Sequence, residues 1–401
     1  MEKVSIIYNQ ALSQIQGINY VNNSFVQGQK YFIENELELK RVYGADGFFI
    51  CNGQDRMSTI GANIGTASYV RQRKIRTFLR KMLSSDFLLG ALVKYYFNFL
   101  LNARKSVDRY LTSGEKDDYI IFQDFFSAAY YFQHKAKDDN AKTILILHCS
   151  NDPLEQFIPL FKGMCKYKCI ENKVRKRLNY AITNVDKVVF LSQHALEASP
   201  LDINKKAYVF NGIEDISNVC ISDTGDVVNL VTVASAIAHK GQSYVIRAFS
   251  RLPEKYKNHL HYYVIGGGTE FPQYKKLVEE LNVQSYVTLM GPRPDVSELL
   301  KKMDVFILPS ISEGMPMSII EAMRQGLYIM ATPVGGIPEM IKPDYGQLIK
   351  RNDLFIANDL IRIVDEKRVT KEAKVASRRS YETNFTLKGM INSYSKILKS
   401  L

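Results

Sequence analysis

The sequence predicts an α/β protein built of two doubly wound domains. Three observations lead there. Short apolar, β-branched runs alternate with longer helical patterns along the chain, which is the signature of parallel sheets covered on both faces. There are eleven such runs, too many for one compact domain of this type. The chain has 401 residues, enough for two or three domains.

The runs of the first half are Val4–Tyr8, Gly47–Cys51, Tyr119–Gln123, Thr143–His148, Lys187–Ser192 and Ala207–Phe210. Those of the second half are Leu230–Ala234, Tyr262–Gly266, Tyr286–Met290, Val305–Pro309 and Tyr328–Thr332. The pattern pauses between 212 and 226, where Asn211-Gly-Ile-Glu-Asp ends a strand and a polar stretch follows. The expected domains are therefore 1–214 and 215–380. A closing helix over 381–401 carries Phe385, Leu387, Met390, Ile391, Tyr394 and Ile397 on its apolar face and is expected to pack back toward the first domain.

Composition excludes several classes. A hydrophobic fraction of 46% lets the chain bury real cores, so it is not a disordered polymer. Pro and Gly together number 35, too few for collagen-like or low-complexity sequence. Five Cys, an odd number over so long a chain, make no disulfide framework and fit a reducing compartment. The N-terminus runs straight into a strand pattern without a secretory leader. The longest apolar stretch, Phe87 to Leu101, is broken by Lys94 and Asn98 and falls short of a membrane span. A soluble, cytoplasmic protein is expected.

The formal net charge of +12 asks for an anionic partner. Residues 1–200 hold 27 basic and 19 acidic side chains, so most of the excess lies in the first half. Arg71, Arg73, Lys74, Arg76, Arg80 and Lys81 form a basic amphipathic stretch with Phe78, Leu79, Met82 and Leu83. A second cluster runs from Lys162 to Arg177. No nucleic-acid recognition module accompanies them, so nucleic acid is not an expected partner. An anionic membrane face is, with Arg73, Lys74, Arg76 and Arg80 as its contacts. The alternative for such charge runs is a solvated helix face covering a core.

The most informative segment is Leu308-Pro-Ser-Ile-Ser-Glu-Gly-Met-Pro-Met-Ser-Ile-Ile-Glu-Ala-Met-Arg-Gln-Gly. A strand ends, a Gly- and Pro-containing loop follows, and a helix begins. Glu313 and Glu321 stand eight apart, one in the loop and one in the helix. Ligands of open α/β sheets bind at that edge, and a helix N-terminus there offers N–H groups to phosphate. Ser318-Ile-Ile-Glu321 also fits a capping box, in which case Glu321 only caps the helix.

This segment, with Ala331-Thr-Pro-x-Gly-Gly-x-x-Glu339 after it, resembles the signature of the retaining glycosyltransferases of family 4. Val264-Ile-Gly-Gly-Gly, Val287-x-Leu-Met-Gly291, Leu300-x-x-x-Asp304-Val-Phe-Ile-Leu-Pro309, Asp186-Lys-Val-Val-Phe-Leu-Ser192 and Val209-Phe-Asn211-Gly212-Ile213 agree with it in order. The likeness is dense over 185–350. It implies the GT-B fold, two Rossmann-like domains facing each other across a cleft, and transfer of a sugar from a nucleotide sugar, foremost a UDP-sugar, to a glycan or lipid-linked acceptor.

The resemblance also implies roles. Glu321 would bind the ribose hydroxyls of the donor. Glu313 would lie by the transferred sugar, with the Gly314-Met315-Pro316 loop and Ser318 beside it. Lys240 would meet the donor diphosphate, and Gly17 would let backbone approach the phosphates from the first domain. His148 would stand near sugar and acceptor. Gln123 and Asp124 end the preceding strand and stay unassigned. Five residues before Lys240 the family has an Arg where this chain has Ser235, which removes one of two expected cations. That departure is the best support for a rival reading, a catalytically silent GT-B protein acting as a binding partner. No metal signature stands out; Cys165 and Cys169 have no second pair nearby, and neither metal nor cofactor is expected.

Overall fold

The computed structural model describes residues 1–9, 18–51, 58–60, 92, 95–148, 167–216 and 219–401. These form two units. The first comprises Met1–Leu191, Ala195–Val209 and Met390–Leu401, and the second Ser192–His194 and Phe210–Gly389.

The first unit holds strands β1 (Glu2–Ile7), β2 (Leu37–Tyr43), β3 (Phe48–Ile50), β4 (Ser58–Ile60), β5 (Tyr119–Phe122), β6 (Lys142–Leu147), β7 (Lys187–Phe190) and β8 (Lys206–Tyr208). They lie in the order β4-β3-β2-β1-β5-β6-β7-β8. The six strands from β2 to β8 are parallel, and β3 and β4 extend that sheet as antiparallel additions. Helices α1 (Ile18–Gln27), α2 (Leu101–Thr112), α3 (Phe125–His134) and α4 (Lys168–Asn184) belong to this unit. Ile120, Phe122, Leu145 and Val188 of the strands pack with Val107, Phe126 and Val174 of the helices in one core.

The second unit has β9 (Val228–Val233), β10 (Leu260–Ile265), β11 (Val287–Gly291), β12 (Val305–Leu308), β13 (Tyr328–Ala331) and β14 (Gly346–Leu348). All are parallel, in the order β11-β10-β9-β12-β13-β14. Its longer helices are α5 (Gln242–Arg251), α6 (Phe271–Glu280), α7 (Met317–Arg324), α8 (Asp353–Asp365), α9 (Lys371–Asn384) and α10 (Leu387–Lys399), the last of which runs on into the first unit.

Each of the eleven expected runs coincides with a strand to within two residues at either end. One differs in direction. Gly47–Cys51 is β3, which runs antiparallel to β2 because it follows β2 after a four-residue turn with no crossover helix. Two parallel strands carry a weak signal. In β2, Leu-Glu-Leu-Lys-Arg-Val-Tyr, charged side chains sit among the buried Leu37, Leu39, Val42 and Tyr43, so no continuous apolar run marks it. The edge strand β14 has three residues.

The chain enters the second unit at Phe210, against the expected 214/215. Asn211 Nδ2 donates to the Met315 carbonyl at 3.1 Å, and Ile213 N donates to the Phe385 carbonyl at 3.1 Å. It returns to the first unit at Met390 rather than 381, since the Tyr381 hydroxyl donates to the Ile213 carbonyl at 3.1 Å. Within the first unit, Ile391 closes over Gly28, Tyr394 packs 5.0 Å from the ring of Phe25, and Asn392 accepts from Asn35 at 2.7 Å.

The expected Arg71–Lys81 segment lies outside the described residues. Of the second basic cluster, helix α4 turns Ile170, Val174 and Leu178 inward and leaves Lys168, Lys173, Arg175 and Lys176 exposed.

An ion pair is buried in the second unit. Lys374 Nζ lies 2.6 Å from Asp304 Oδ1, with the side chains 7% and 12% exposed. Asp304 Oδ2 accepts from Asn229 N at 2.8 Å, which ties the start of β12 to β9. Removing one partner strands the other charge in the interior. Lys374→Ala is expected to lose about 3–5 kcal/mol of unfolding free energy in urea titration. A loss below about 1 kcal/mol, the range of surface pairs, contradicts the reading.

Candidate functional site

Strand β9 is flanked by β10 on one side and β12 on the other. The chain winds outward from β9 through β10 to β11, then returns to begin again at β12. The carboxyl ends of β9 and β12 therefore splay their loops apart at a topological switch point, where open α/β sheets bind ligands.

The loop after β9 tightens into a single 3₁₀ turn, Ala238–Lys240, and reverses at Gly241, whose φ is +76°. A Cβ on Gly241 would come 2.2 Å from the Pro309 carbonyl oxygen, so only glycine fits. The loop after β12 begins at Pro309 and leads into α7. Three contacts join these two loops, and a fourth, from Ser310, holds Glu313 within its own loop. Lys240 Nζ lies 2.6 Å from Glu313 Oε1. The Ser310 hydroxyl donates to the same oxygen at 2.6 Å. His239 Nε2 donates to the Ser312 carbonyl at 2.6 Å, and Ile311 N donates to the His239 carbonyl at 3.0 Å. The Glu313 side chain is 9% exposed and that of Lys240 23%, so this pair is partly shielded from solvent.

The loop after β13 supports Glu313 from behind. Gly335 has φ +58°, and a Cβ there would fall 1.7 Å from the Glu313 carbonyl oxygen. Gly336 N donates to the Gly314 carbonyl at 2.8 Å, and the Thr332 hydroxyl donates to the Ser310 carbonyl at 2.7 Å. Met315 is buried, and its sulfur and carbonyl accept from the Asn211 backbone and side chain at 3.3 and 3.1 Å. Glu339, which closes the sequence pattern, accepts from Gln193 N at 2.9 Å and His194 N at 2.8 Å.

Helix α7 starts at Met317 with Pro316 at its N-cap and no side-chain cap. Ser318 is then the second helical residue and Glu321 the fifth, two residues beyond the third position that a capping box uses. The capping-box alternative is thereby excluded. Seven of the expected residues, Lys240, Glu313, Gly314, Met315, Pro316, Ser318 and Glu321, thus fall on the two loops of the switch point and the first turns of α7.

In the first unit, Asn9, Gln123, Asp124 and His148 lie just past the carboxyl ends of β1, β5 and β6. His148 is buried, and its Nε2 is 2.6 Å from Gln123 Oε1. Burial pushes its pKa down to about 3, so the ring is neutral at physiological pH. Asp124 caps α3, accepting from Ser127 N and the Ser127 hydroxyl at 2.8 Å and from Asn9 N at 3.0 Å. Burial pushes its pKa up to about 6, against the lowering effect of those hydrogen bonds. Gly17, Arg73, Lys74, Arg76 and Arg80 lie outside the described residues.

Sequence reasoning left Ser310, within the signature segment, and Gln123 without a role, and each holds a named side chain. Their partners sit three and 25 residues away, and neither pairing has a sequence signal of its own.

Comparison with known proteins bears on this site. Residues 224–382 match the family model described as glycosyl transferases group 1. Over 91 residues the chain is 40% identical to the Escherichia coli UDP-Gal:alpha-D-GlcNAc-diphosphoundecaprenol alpha-1,3-galactosyltransferase, covering 22% of this chain and 23% of that protein. It is 29% identical over 177 residues to the Campylobacter jejuni N,N'-diacetylbacillosaminyl-diphospho-undecaprenol alpha-1,3-N-acetylgalactosaminyltransferase, covering 43% and 46%. The matched stretch thus spans less than half the length of either relative. Among solved structures, Anabaena HepE in complex with UDP superposes at a TM-score of 0.66 and 14% identity, over 100% of both chains. The fold is GT-B. The GT-B sheet that carries Lys240 and Glu313 is also the part that matches group 1 glycosyl transferases.

The pKa of His148 gives a test of its burial. Between pH 6.5 and about 3 the unfolded chain takes up a proton on His148 that the folded chain refuses, so this contribution to stability is lost as pH falls. Asp124 acts in the opposite sense between about 6 and 3.8 and is common to wild type and variant. The stability difference between wild type and His148→Gln is expected to shrink by about 2 kcal/mol from pH 7 to pH 5 in denaturant titrations. A difference independent of pH would contradict it.

Proposed function

We propose that the chain is a retaining glycosyltransferase that moves a sugar from a nucleotide sugar, foremost a UDP-sugar, to a hydroxyl of a lipid-linked or glycan acceptor. The observation that carries the reading is the Lys240–Glu313 pair at the switch point of the matched unit. A cation and a carboxylate at that edge suit a diphosphate and its sugar, which supports the reading. The relatives' names, with diphosphoundecaprenol acceptors, and the UDP held by HepE support the substrate class.

In this mechanism the donor diphosphate takes over Lys240 as its counter-ion. Glu313, still held by Ser310, then faces the sugar hydroxyls, and an ionised acceptor makes those hydrogen bonds stronger. Glu321 accepts the ribose hydroxyls. Backbone N–H groups of Gly314 and Met315 serve the sugar. Charge that grows on the leaving diphosphate is met by Lys240 and by peptide dipoles, with no metal ion required. The departing phosphate oxygen helps to deprotonate the acceptor on the face it leaves, which gives retention. His148, neutral at working pH, serves as a hydrogen-bonding group rather than a titrating base.

A nucleotide-release assay across UDP-, GDP- and ADP-sugars tests the activity. Release from a UDP-sugar is expected; binding of UDP without release from any donor would favour the silent reading instead. Glu321→Ala is expected to weaken donor binding by roughly 1–3 kcal/mol with the melting temperature unchanged. Lys240→Ala is expected to cut turnover by ~10²-fold or more, with partial recovery in Lys240→Ala/Ser235→Arg. Near-normal turnover in Lys240→Ala would sink the assignment.

The site of work is proposed to be an anionic membrane face, reached through the Arg71–Lys81 segment together with the exposed cations of α4 and the exposed rings of Tyr96 and Phe97. Among the described residues no helix is long and apolar enough to cross a membrane. In co-sedimentation, binding is expected to need anionic lipid, to fall with salt, and to drop when Arg73, Lys74, Arg76 and Arg80 become Gln. Wild type that ignores anionic vesicles at low salt would overturn this part.

A further inference from the structure

Arg351 lies two residues past Ile349, at the far side of the second sheet from β9. Its main chain is fixed on both sides. Ile349 N donates to the Ala331 carbonyl at 2.9 Å, and Asn352 caps α8 by accepting from Leu354 N at 2.9 Å. From that anchor the guanidinium reaches into the gap between the two loops of the switch point. Nε donates to the Pro309 carbonyl at 3.0 Å, and one terminal nitrogen donates to the Ala238 carbonyl at 2.7 Å. The other terminal nitrogen donates to the Tyr244 hydroxyl at 3.3 Å, and the guanidinium carbon lies 4.4 Å from the centre of the Tyr244 ring.

The three acceptors belong to three different segments. Pro309 opens the loop that carries Glu313. Ala238 begins the turn that carries Lys240. Tyr244 lies in the first turn of α5, just after Gly241. Arg351 Nε sits 3.2 Å from where a Cβ on Gly241 would be, so the absent side chain leaves the room the guanidinium uses. Among the described residues Arg351 makes no ion pair, so its hydrogen bonds go to neutral acceptors whose positions they fix.

We propose that Arg351 is the positioning residue of the diphosphate site: its planar fork braces the Lys240 turn against the Glu313 loop, holding the lysine where a nucleoside diphosphate meets it. The inference rests on the glycosyltransferase reading of Lys240. A flat guanidinium with five N–H donors can serve three acceptors in fixed directions while stacked on a ring; a lysine carries the charge but not the fork.

Arg351→Met and Arg351→Lys test the brace. In each, hydrogen exchange is followed at the Ile311 amide, which donates to His239, and at the Lys240 amide, which donates to Ile237. Calorimetry compares UDP with uridine, and thermal melting checks the fold. Both variants are expected to exchange these amides and to bind UDP about tenfold less well protected and less tightly than wild type, with uridine affinity and melting little changed. Recovery of UDP affinity and protection in Arg351→Lys would show that charge alone matters and would overturn the brace. So would unchanged amide protection in Arg351→Met, or equal losses toward UDP and uridine. Faster exchange at both amides in a protein whose wild type binds no UDP would uphold the brace and overturn the glycosyltransferase reading instead.

Discussion

The short contact between Lys240 and Glu313 depends on two parallel strands lying side by side with their carboxyl ends at one edge. Neither residue is near the other in sequence. The turn after β9 brings the lysine, the loop after β12 brings the glutamate, and the strand order makes these loops neighbours. Everything around the pair serves its geometry. Gly241 and Gly335 allow approaches of backbone to carbonyl oxygen that any side chain would block. His239 supplies a hydrogen bond that keeps the loops from drifting apart, and Ser310 holds the Glu313 carboxylate within its own loop. On the function proposed above, this carboxylate holds the lysine in a partly shielded site until a diphosphate takes its place.

Much of this was legible in the sequence, because parallel strands buried on both faces are written as continuous apolar runs. Val305–Leu308 and Tyr328–Ala331 are fully buried and were plain to read. The strand β2 was not, since Glu38, Lys40 and Arg41 keep their charged ends partly in solvent while their neighbours enter the core. The hairpin direction of β3 was hidden for another reason. An apolar triplet reads the same way whichever way its neighbour runs, and only the short turn before it decides.

The site divides along the same line. Glu313 and Glu321 stand on a recognisable spacing, and they and Lys240 could be named as candidates from the chain alone. Ser310, Gln123 and Arg351 could not, for they act through contacts whose partners the fold supplies. Arg351 reaches Pro309 across 42 residues of sequence, over β13 and its loop. That Glu321 lies outside a capping box follows from one structural fact, that α7 begins at Met317. Ser235, the position that weakens the family pattern, leaves the Lys240–Glu313 pair intact.

A crystal structure of the protein soaked with UDP measures the outcome of that exchange of partners. The diphosphate is predicted to lie at the carboxyl edge of β9 and β12, with Lys240 Nζ within hydrogen-bond distance of a phosphate oxygen, the Lys240–Glu313 contact opened, and the ribose hydroxyls on Glu321. UDP bound elsewhere, or bound at this edge with Lys240 still seated on Glu313, would contradict it.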